Sequence, residues 1–334
     1  MELCRILAEH PYLRLVAVTS RSEAGKPLAS LYPFVQGGPL ADLVVQTPDY
    51  SQLAASCDLV FLAVPHKTAM EAAFALRQGG CRVIDLSADF RLRHVPTYES
   101  WYGTTHSHPD LVAEAVYGLP ELYRDAIRHA CLVANPGCYP TASILALYPA
   151  LASGLIAPEG IVIDAKSGAS GAGRKATPAT LFCEVHDTLR AYNLTCHRHT
   201  PEIEQELSQA AGQQIQVSFN THLVPMGRGI LATCYGQLRP GVQEEAVYQA
   251  YATFAAHQPW LRLMPQGVLP ETRWVRGTNY CDLGVVVDSR IGRLIVVSCI
   301  DNLCRGASGQ AVVNANLMLG LPEEAGLSHA PMVP

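Results

Sequence analysis

The sequence predicts an α/β protein in two parts: a doubly wound parallel sheet, then a second α+β domain. Three observations carry that reading. The first half alternates continuous apolar runs with helical stretches, which suits strands buried on both faces. From about residue 155 the texture changes to longer strands fit for one mixed or antiparallel sheet. The 334 residues, 49% hydrophobic and 16% charged, suffice for two domains with cores of their own.

The elements follow in chain order. Leu15–Thr19, Asp58–Val64, Arg82–Leu86 and Cys131–Ala134 are the predicted strands of the first half. Lys67–Gln78 reads as a helix, stopped by Gly79 and Gly80. In N-P-G-C-Y-P-T (Asn135 to Thr141), Pro136 and Gly137 suit a sharp turn, and Pro140 with the apolar run after it suits a helix start. Gly160–Lys166, Gln214–Val224, Gly229–Leu238, Cys281–Asp288 and Arg293–Cys299 are the later strands. A last helix over Leu303–Leu319 is long enough to return to the first domain. The expected division is therefore 1–137 with 303–334 as a Rossmann-type dinucleotide-binding domain, and 138–302 as the catalytic and oligomerisation domain.

Composition narrows the function. A net charge of −5 offers no broad attraction to nucleic acid or anionic membrane, and no window holds the roughly 18 apolar residues of a membrane span. Eleven cysteines, an odd number without a C-x-x-C pair, make neither a disulfide framework nor a zinc ribbon. The opening M-E-L-C-R-I-L-A-E-H lacks a signal-peptide core. These features predict a reduced, cytoplasmic protein.

Cys138 at a helix N-terminus is the candidate nucleophile, because unpaired amide groups and the helix dipole favour a thiolate there. His197 and His199 in H-R-H-T-P-E-I precede a second helix, with Thr200 as its expected cap and Pro201 as its first residue. Cysteine and histidine from distant segments form a minimal nucleophile and base; His199, beside the expected cap, is favoured as acid/base. No third ligand accompanies the H-x-H spacing, so no metal is expected. S-G-A-S-G-A-G-R-K (Ser167 to Lys175) lacks the helix and acidic residue of a dinucleotide fingerprint; it reads as a substrate loop whose Arg174 grips a carboxylate or phosphate. Ser20, Arg21, Pro65 and Ser87 fall at strand carboxyl ends, where such sheets bind cofactors, and Ser20 with Arg21 suits a 2′-phosphate and hence NADP.

The strings D-L-S-A-D-F-R, N-P-G-C-Y-P-T, S-G-A-S-G-A-G-R-K, H-R-H-T-P-E-I, H-L-V-P-M-G-R-G-I and C-I-D-N-L-C-R-G-A-S-G-Q-A, in this order to about Gly320, resemble the N-acetyl-γ-glutamyl-phosphate reductase family. The resemblance implies a fold similar to aspartate-semialdehyde and glyceraldehyde-phosphate dehydrogenases. It implies NADPH-dependent reduction of a small acyl phosphate in arginine biosynthesis through a cysteine thioester, by a homo-oligomer (dimer or tetramer). It makes Cys138 the nucleophile, places the catalytic histidine in H-R-H, puts Asn302 near the nicotinamide, and sets Ser167, Arg174, Arg91 and Glu202 around substrate or cofactor phosphate. Arg305 and Ser308 stand where the family usually shows lysine and alanine. A related semialdehyde dehydrogenase and a carrier-linked acyl-phosphate reductase are the rival enzymes.

The family begins with a strand and a G-x-x-G-Y-x-G phosphate loop, whereas this sequence opens on what reads as the helix after that loop. The expectation is that the chain as written binds NADPH poorly and folds poorly, and an inactive, cofactor-free remnant is the alternative from outside the enzyme class.

Overall fold

The computed structural model describes residues 1–173 and 177–333. Met1–Pro136 with Ser308–Leu327 form one compact unit, and Gly137–Ala307 with the chain end from Ser328 form the second. That chain end differs from the expected division. His329 stacks on Trp260 with ring centroids 4.9 Å apart, and Met332 N–H donates to Arg276 O at 2.8 Å, so aromatic and main-chain contacts hold it in the second unit.

In the first unit β1 (Leu59–Leu62), β2 (Arg82–Asp85), β3 (Val116–Tyr117) and β4 (Leu132–Ala134) form a parallel sheet of order β1-β2-β4-β3. Val83, Ile84, Leu132 and Val133 are completely buried, as the unbroken apolar runs require. The Ala69–Gln78 helix buries Ala69, Met70, Ala72, Ala73 and Leu76 in the same core. The Gly309–Met318 helix is buried along its whole length, and Asn314 Nδ2 donates to Gly118 O at 2.9 Å and Asn135 Oδ1 at 3.0 Å.

The expected strand over Leu15–Thr19 is not formed. Thr19 makes one isolated parallel bridge to Gln46, flanked by Ser20 N–H to Gln46 O and Gln46 N–H to Val18 O, both 2.9 Å. Val16 is 46% exposed; an apolar run with so little cover and so short a pairing edge does not extend into a ladder.

The second unit carries a seven-stranded mixed sheet from β5 (Ile161–Ser167), β6 (Arg190–Tyr192), β7 (Val217–Leu223), β8 (Ile230–Gln237), β9 (Leu261–Leu263), β10 (Cys281–Asp288) and β11 (Arg293–Ile300), in the order β6-β7-β5-β8-β11-β10-β9. Burial alternates along β5 and β8, the pattern of a sheet with one covered face. The Cys138–Ala152 helix packs on β8 and β11 and against the Thr200–Ala211 helix. Tyr251 ties it to the Glu244–Ala255 helix by donating to Ala146 O at 2.6 Å. The last expected helix is split: a π-helical turn over Cys304–Ser308 precedes Gly309–Met318.

Candidate active site

Cys138 is the first residue of its helix, behind an extended Gly137 (φ −70°, ψ 156°), and is partly exposed. Helix-start amides and the dipole therefore act on its sulfur. Gly137 N–H is taken by Glu202 Oε1 at 2.8 Å. Glu202 is 1% exposed and lies in the first turn of the Thr200–Ala211 helix, so its carboxylate joins two helix starts.

Behind the cysteine lies Gly306, in the π-helical turn. A Cβ there would fall 2.5 Å from Cys138 Cβ, so the turn passes close only because residue 306 has no side chain. The turn is fixed by Asp301, wholly buried, which accepts from Arg228 Nη2 at 2.9 Å, Gly277 N–H at 2.6 Å and Cys304 N–H at 2.9 Å.

Both histidines lie in this unit. Thr200 is not the cap of the following helix: His199 holds that position, and no side-chain cap bond forms. His199 N–H donates instead to His197 Nδ1 at 3.1 Å. That bond assigns His197 as the neutral tautomer carrying its proton on Nε2. The rings of Tyr139, Tyr192 and Phe219 stand edge-on to His197 at 5.4, 5.8 and 5.2 Å. Burial, and then the Arg198 charge, pushes its pKa down to about 4. His199 is 4.9 Å from His197 and 6.1 Å from Tyr139, ring to ring.

Ser167, 3% exposed, ends β5, and its hydroxyl donates to Gly168 O at 3.1 Å. The glycine loop after it lies along Met226–Gly229. Gly168, Ala169 and Ser170 N–H donate to Gly229, Met226 and Gly227 carbonyls at 2.9, 2.9 and 3.1 Å. A Cβ on Gly168 would come 2.9 Å from Met226 O. Asn302 clamps the loop, accepting from Gly229 N–H at 2.7 Å and donating Nδ2 to Ser170 Oγ at 3.0 Å. Arg174, the expected tip, lies outside the described residues.

The other candidates belong to the first unit. Ser20 and exposed Arg21 follow Thr19, with Ser20 Oγ 3.4 Å from Ser22 Oγ. Pro65 precedes the Ala69–Gln78 helix, and its carbonyl accepts from Thr68 Oγ1. Ser87 Oγ donates to Asp85 Oδ2 at 2.7 Å; burial pushes the Asp85 pKa up to about 7 against these bonds. Arg91, 5% exposed, donates Nε to Asn135 O at 2.8 Å and Nη2 to Leu86 O at 3.0 Å, which commits much of its guanidinium to main chain. Among the described residues, no group of three or more His, Cys, Asp or Glu is placed to hold a metal ion.

Sequence reasoning passed over Gly306, Asp301, Tyr139 and Tyr192. Tyr139 adjoins the cysteine and Gly306 lies in the quoted R-G-A-S-G string, so both had a signal; Tyr192, on a three-residue strand, had none.

The chain thus places a parallel sheet first and then a mixed-sheet unit that opens on a helix-start cysteine. Residues 1–130 match the model of the semialdehyde dehydrogenase NAD-binding domain, and residues 138–302 that of the semialdehyde dehydrogenase dimerisation domain. Among solved structures, aspartate semialdehyde dehydrogenase II of Vibrio cholerae, complexed with ASA, superposes with a TM-score of 0.70 at 17% identity, covering 95% of this chain and 94% of that one. The Candida albicans aspartate semialdehyde dehydrogenase with NADP gives 0.65 at 17% identity, covering 95% and 94%. The N-acetyl-gamma-glutamyl-phosphate reductase of Cyanothece sp. is 49% identical over 100% of this chain and 95% of its own length. That of Symbiobacterium thermophilum is 51% identical over 99% and 94%. The chain belongs to the N-acetyl-gamma-glutamyl-phosphate reductase family.

Proposed function

We propose that this chain reduces N-acetyl-γ-glutamyl phosphate to N-acetylglutamate semialdehyde with NADPH, in arginine biosynthesis, as a cytoplasmic homo-oligomer. The observation that carries the reading is Cys138 at a helix start, followed by Tyr139 whose ring stands edge-on to His197, in a chain 49% identical to reductases of that name over its full length.

The thiolate attacks the acyl carbon; the S–C bond forms, the C–O bond to phosphate breaks, and phosphate leaves with the electron pair, giving a thioester on Cys138. Ser20, Ser22 and Arg21, two hydroxyls and an exposed guanidinium at one chain turn, have the donors a 2′-phosphate requires, and Asn302 holds its amide oriented by Gly229 and Ser170. The Ser20–Ser22 turn would hold NADPH, which would supply the hydride that takes the thioester to the aldehyde level.

The two histidines divide the remaining work. Neutral His197, with its proton on Nε2, is a donor that polarises the acyl oxygen and, already neutral above about pH 4, carries no imidazolium proton to give up near pH 7. His199, at the helix start, exchanges the proton with the thiol and the thiohemiacetal oxygen. Arg174 and Ser167 bind the substrate's anionic groups, and Glu202 holds the Cys138 turn.

The test is NADPH oxidation by the purified chain. A kcat/KM with N-acetyl-γ-glutamyl phosphate at least a hundredfold above that with β-aspartyl phosphate is expected. The reverse preference would assign the chain to a related semialdehyde dehydrogenase, and preference for a carrier-bound acyl phosphate to the carrier-linked reaction.

A further inference from the structure

Asp301 follows β11 directly and is completely buried. Its Oδ1 accepts from Arg228 Nη2 at 2.9 Å, Leu303 N–H at 2.8 Å and Cys304 N–H at 2.9 Å, and its Oδ2 from Gly277 N–H at 2.6 Å. Its own carbonyl takes Gly306 N–H at 2.9 Å. One residue therefore shapes the Cys304–Ser308 turn through side chain and main chain together.

That turn is π-helical, a form that is rare and found mostly as single turns at functional sites. Here it lays the Gly306 main chain against Cα and Cβ of Cys138. The backbone of the turn is thus the wall behind the cysteine.

A second segment braces the same turn. Arg228, between β7 and β8, reaches Asp301 and also donates Nη2 to Cys304 Sγ at 3.4 Å. Its neighbour Gly229 donates to Asn302 Oδ1 at 2.7 Å, so two adjacent residues of one turn hold two adjacent residues of the other. The main-chain carbonyls of Met226, Gly227 and Gly229 carry the glycine loop after β5. The turn that carries that loop therefore also braces the wall behind Cys138.

We propose that Asp301 is a positioning residue for Cys138: with Arg228 it folds the π-helical turn so that Gly306 seats the cysteine at its helix start. This rests on Cys138 being the nucleophile. The helix-start amides act on the sulfur only while the cysteine keeps that position, because the dipole effect is confined to the first turn.

The experiment is acetylation of Cys138 by p-nitrophenyl acetate at pH 7, read as p-nitrophenolate release and as the mass of the Cys138 peptide. The thiolate attacks the acetyl carbon, the S–C bond forms, and p-nitrophenolate leaves with the electron pair. Neither the acyl phosphate nor a cofactor is needed. A wild type whose Cys138 stays unmodified would overturn the nucleophile reading and this proposal with it; equal rates in wild type, Asp301→Asn and Arg228→Gln would overturn this proposal alone.

Asp301→Asn leaves one acceptor oxygen where two stood, and Arg228→Gln removes the guanidinium. Both should slow acetylation by about tenfold or more, as misplacement of a reacting group does. The two variants lose charges of opposite sign, so an effect of the electric field alone would move their rates in opposite directions, and that result would overturn the proposal. Arg228→Lys, which keeps a cationic donor, should recover most of the rate lost in Arg228→Gln; no recovery would remove the ion pair from the seat. Glu323→Gln breaks a part-buried ion pair of the first unit, 3.0 Å from Arg124 Nε, and should keep the wild-type rate. If it slows acetylation as much as Asp301→Asn, general loosening explains both and the proposal fails. The melting temperature checks that each variant is folded.

Discussion

Gly306 sits so close to Cys138 that a methyl group on it would fall 2.5 Å from the cysteine's Cβ. The next atoms it would meet are Cys138 Cα at 3.1 Å and Ile300 Cδ1 at 3.4 Å. The two nearest, Cys138 Cβ and its main-chain Cα, are fixed to the backbone and cannot swing away, so the π-helical turn or the helix start must shift.

Gly306→Ala should therefore destabilise the protein by about 1–3 kcal/mol, the usual range for overpacking. It should lower kcat at least tenfold by moving Cys138, the proposed nucleophile. Melting temperature and steady-state rates check it; a variant with wild-type kcat would show that the helix start tolerates displacement.

The histidines predict distinct pH behaviour. His197 has a folded pKa of about 4, below its unfolded value of about 6.5. Between those values the unfolded chain binds the extra proton, so this group's stabilising contribution is present above pH 6.5 and is lost as pH falls toward 4. His197→Gln should flatten that part of the stability curve, measured by urea unfolding at pH 4.5, 5.5 and 7.

His199→Asn should lower kcat by roughly 10² to 10⁴, the range for loss of a general acid/base, and remove the acid limb of its pH profile. His197→Gln should lower kcat less and leave that limb in place. The opposite ranking, read from kcat between pH 5 and 9, would exchange the two roles.

The loop after β5 predicts a different signature. Ser170→Ala removes the acceptor of Asn302 Nδ2 and should cost about 0.5–1.5 kcal/mol. If, as proposed, the loop binds anionic groups equally in ground and transition states, Ser170→Ala and Arg174→Leu should each raise the KM for acyl phosphate more than they lower kcat. An unchanged KM in both variants would remove the loop from substrate binding.

Much of this site was legible because its chemistry sits in short, locally determined signals. Pro, Gly and an apolar run specify a helix start at Cys138 whatever surrounds it, and Cys281–Asp288 is a strand with the bounds its residues predict. Thr200 misled because capping preference is local, while the bond from His199 N–H to His197 Nδ1 offers the backbone another partner. Leu15–Thr19 has strand composition, yet a ladder needs a neighbour along its length, which the residues of one segment do not encode. Gly306 reaches Cys138 from 168 residues away in sequence and Tyr192 reaches Tyr139 from 53, and only tertiary packing shows them.

The central claim is that Cys138 carries the acyl group. Mixing the protein with N-acetyl-γ-glutamyl phosphate in the absence of NADPH, quenching in acid and weighing the Cys138 peptide tests it most directly. The account predicts one phosphate released per active site and an N-acetylglutamyl adduct on Cys138, both absent from Cys138→Ser with an unchanged circular dichroism spectrum. Phosphate release without the adduct, or a Cys138→Ser variant that keeps a tenth of the wild-type rate, would contradict it.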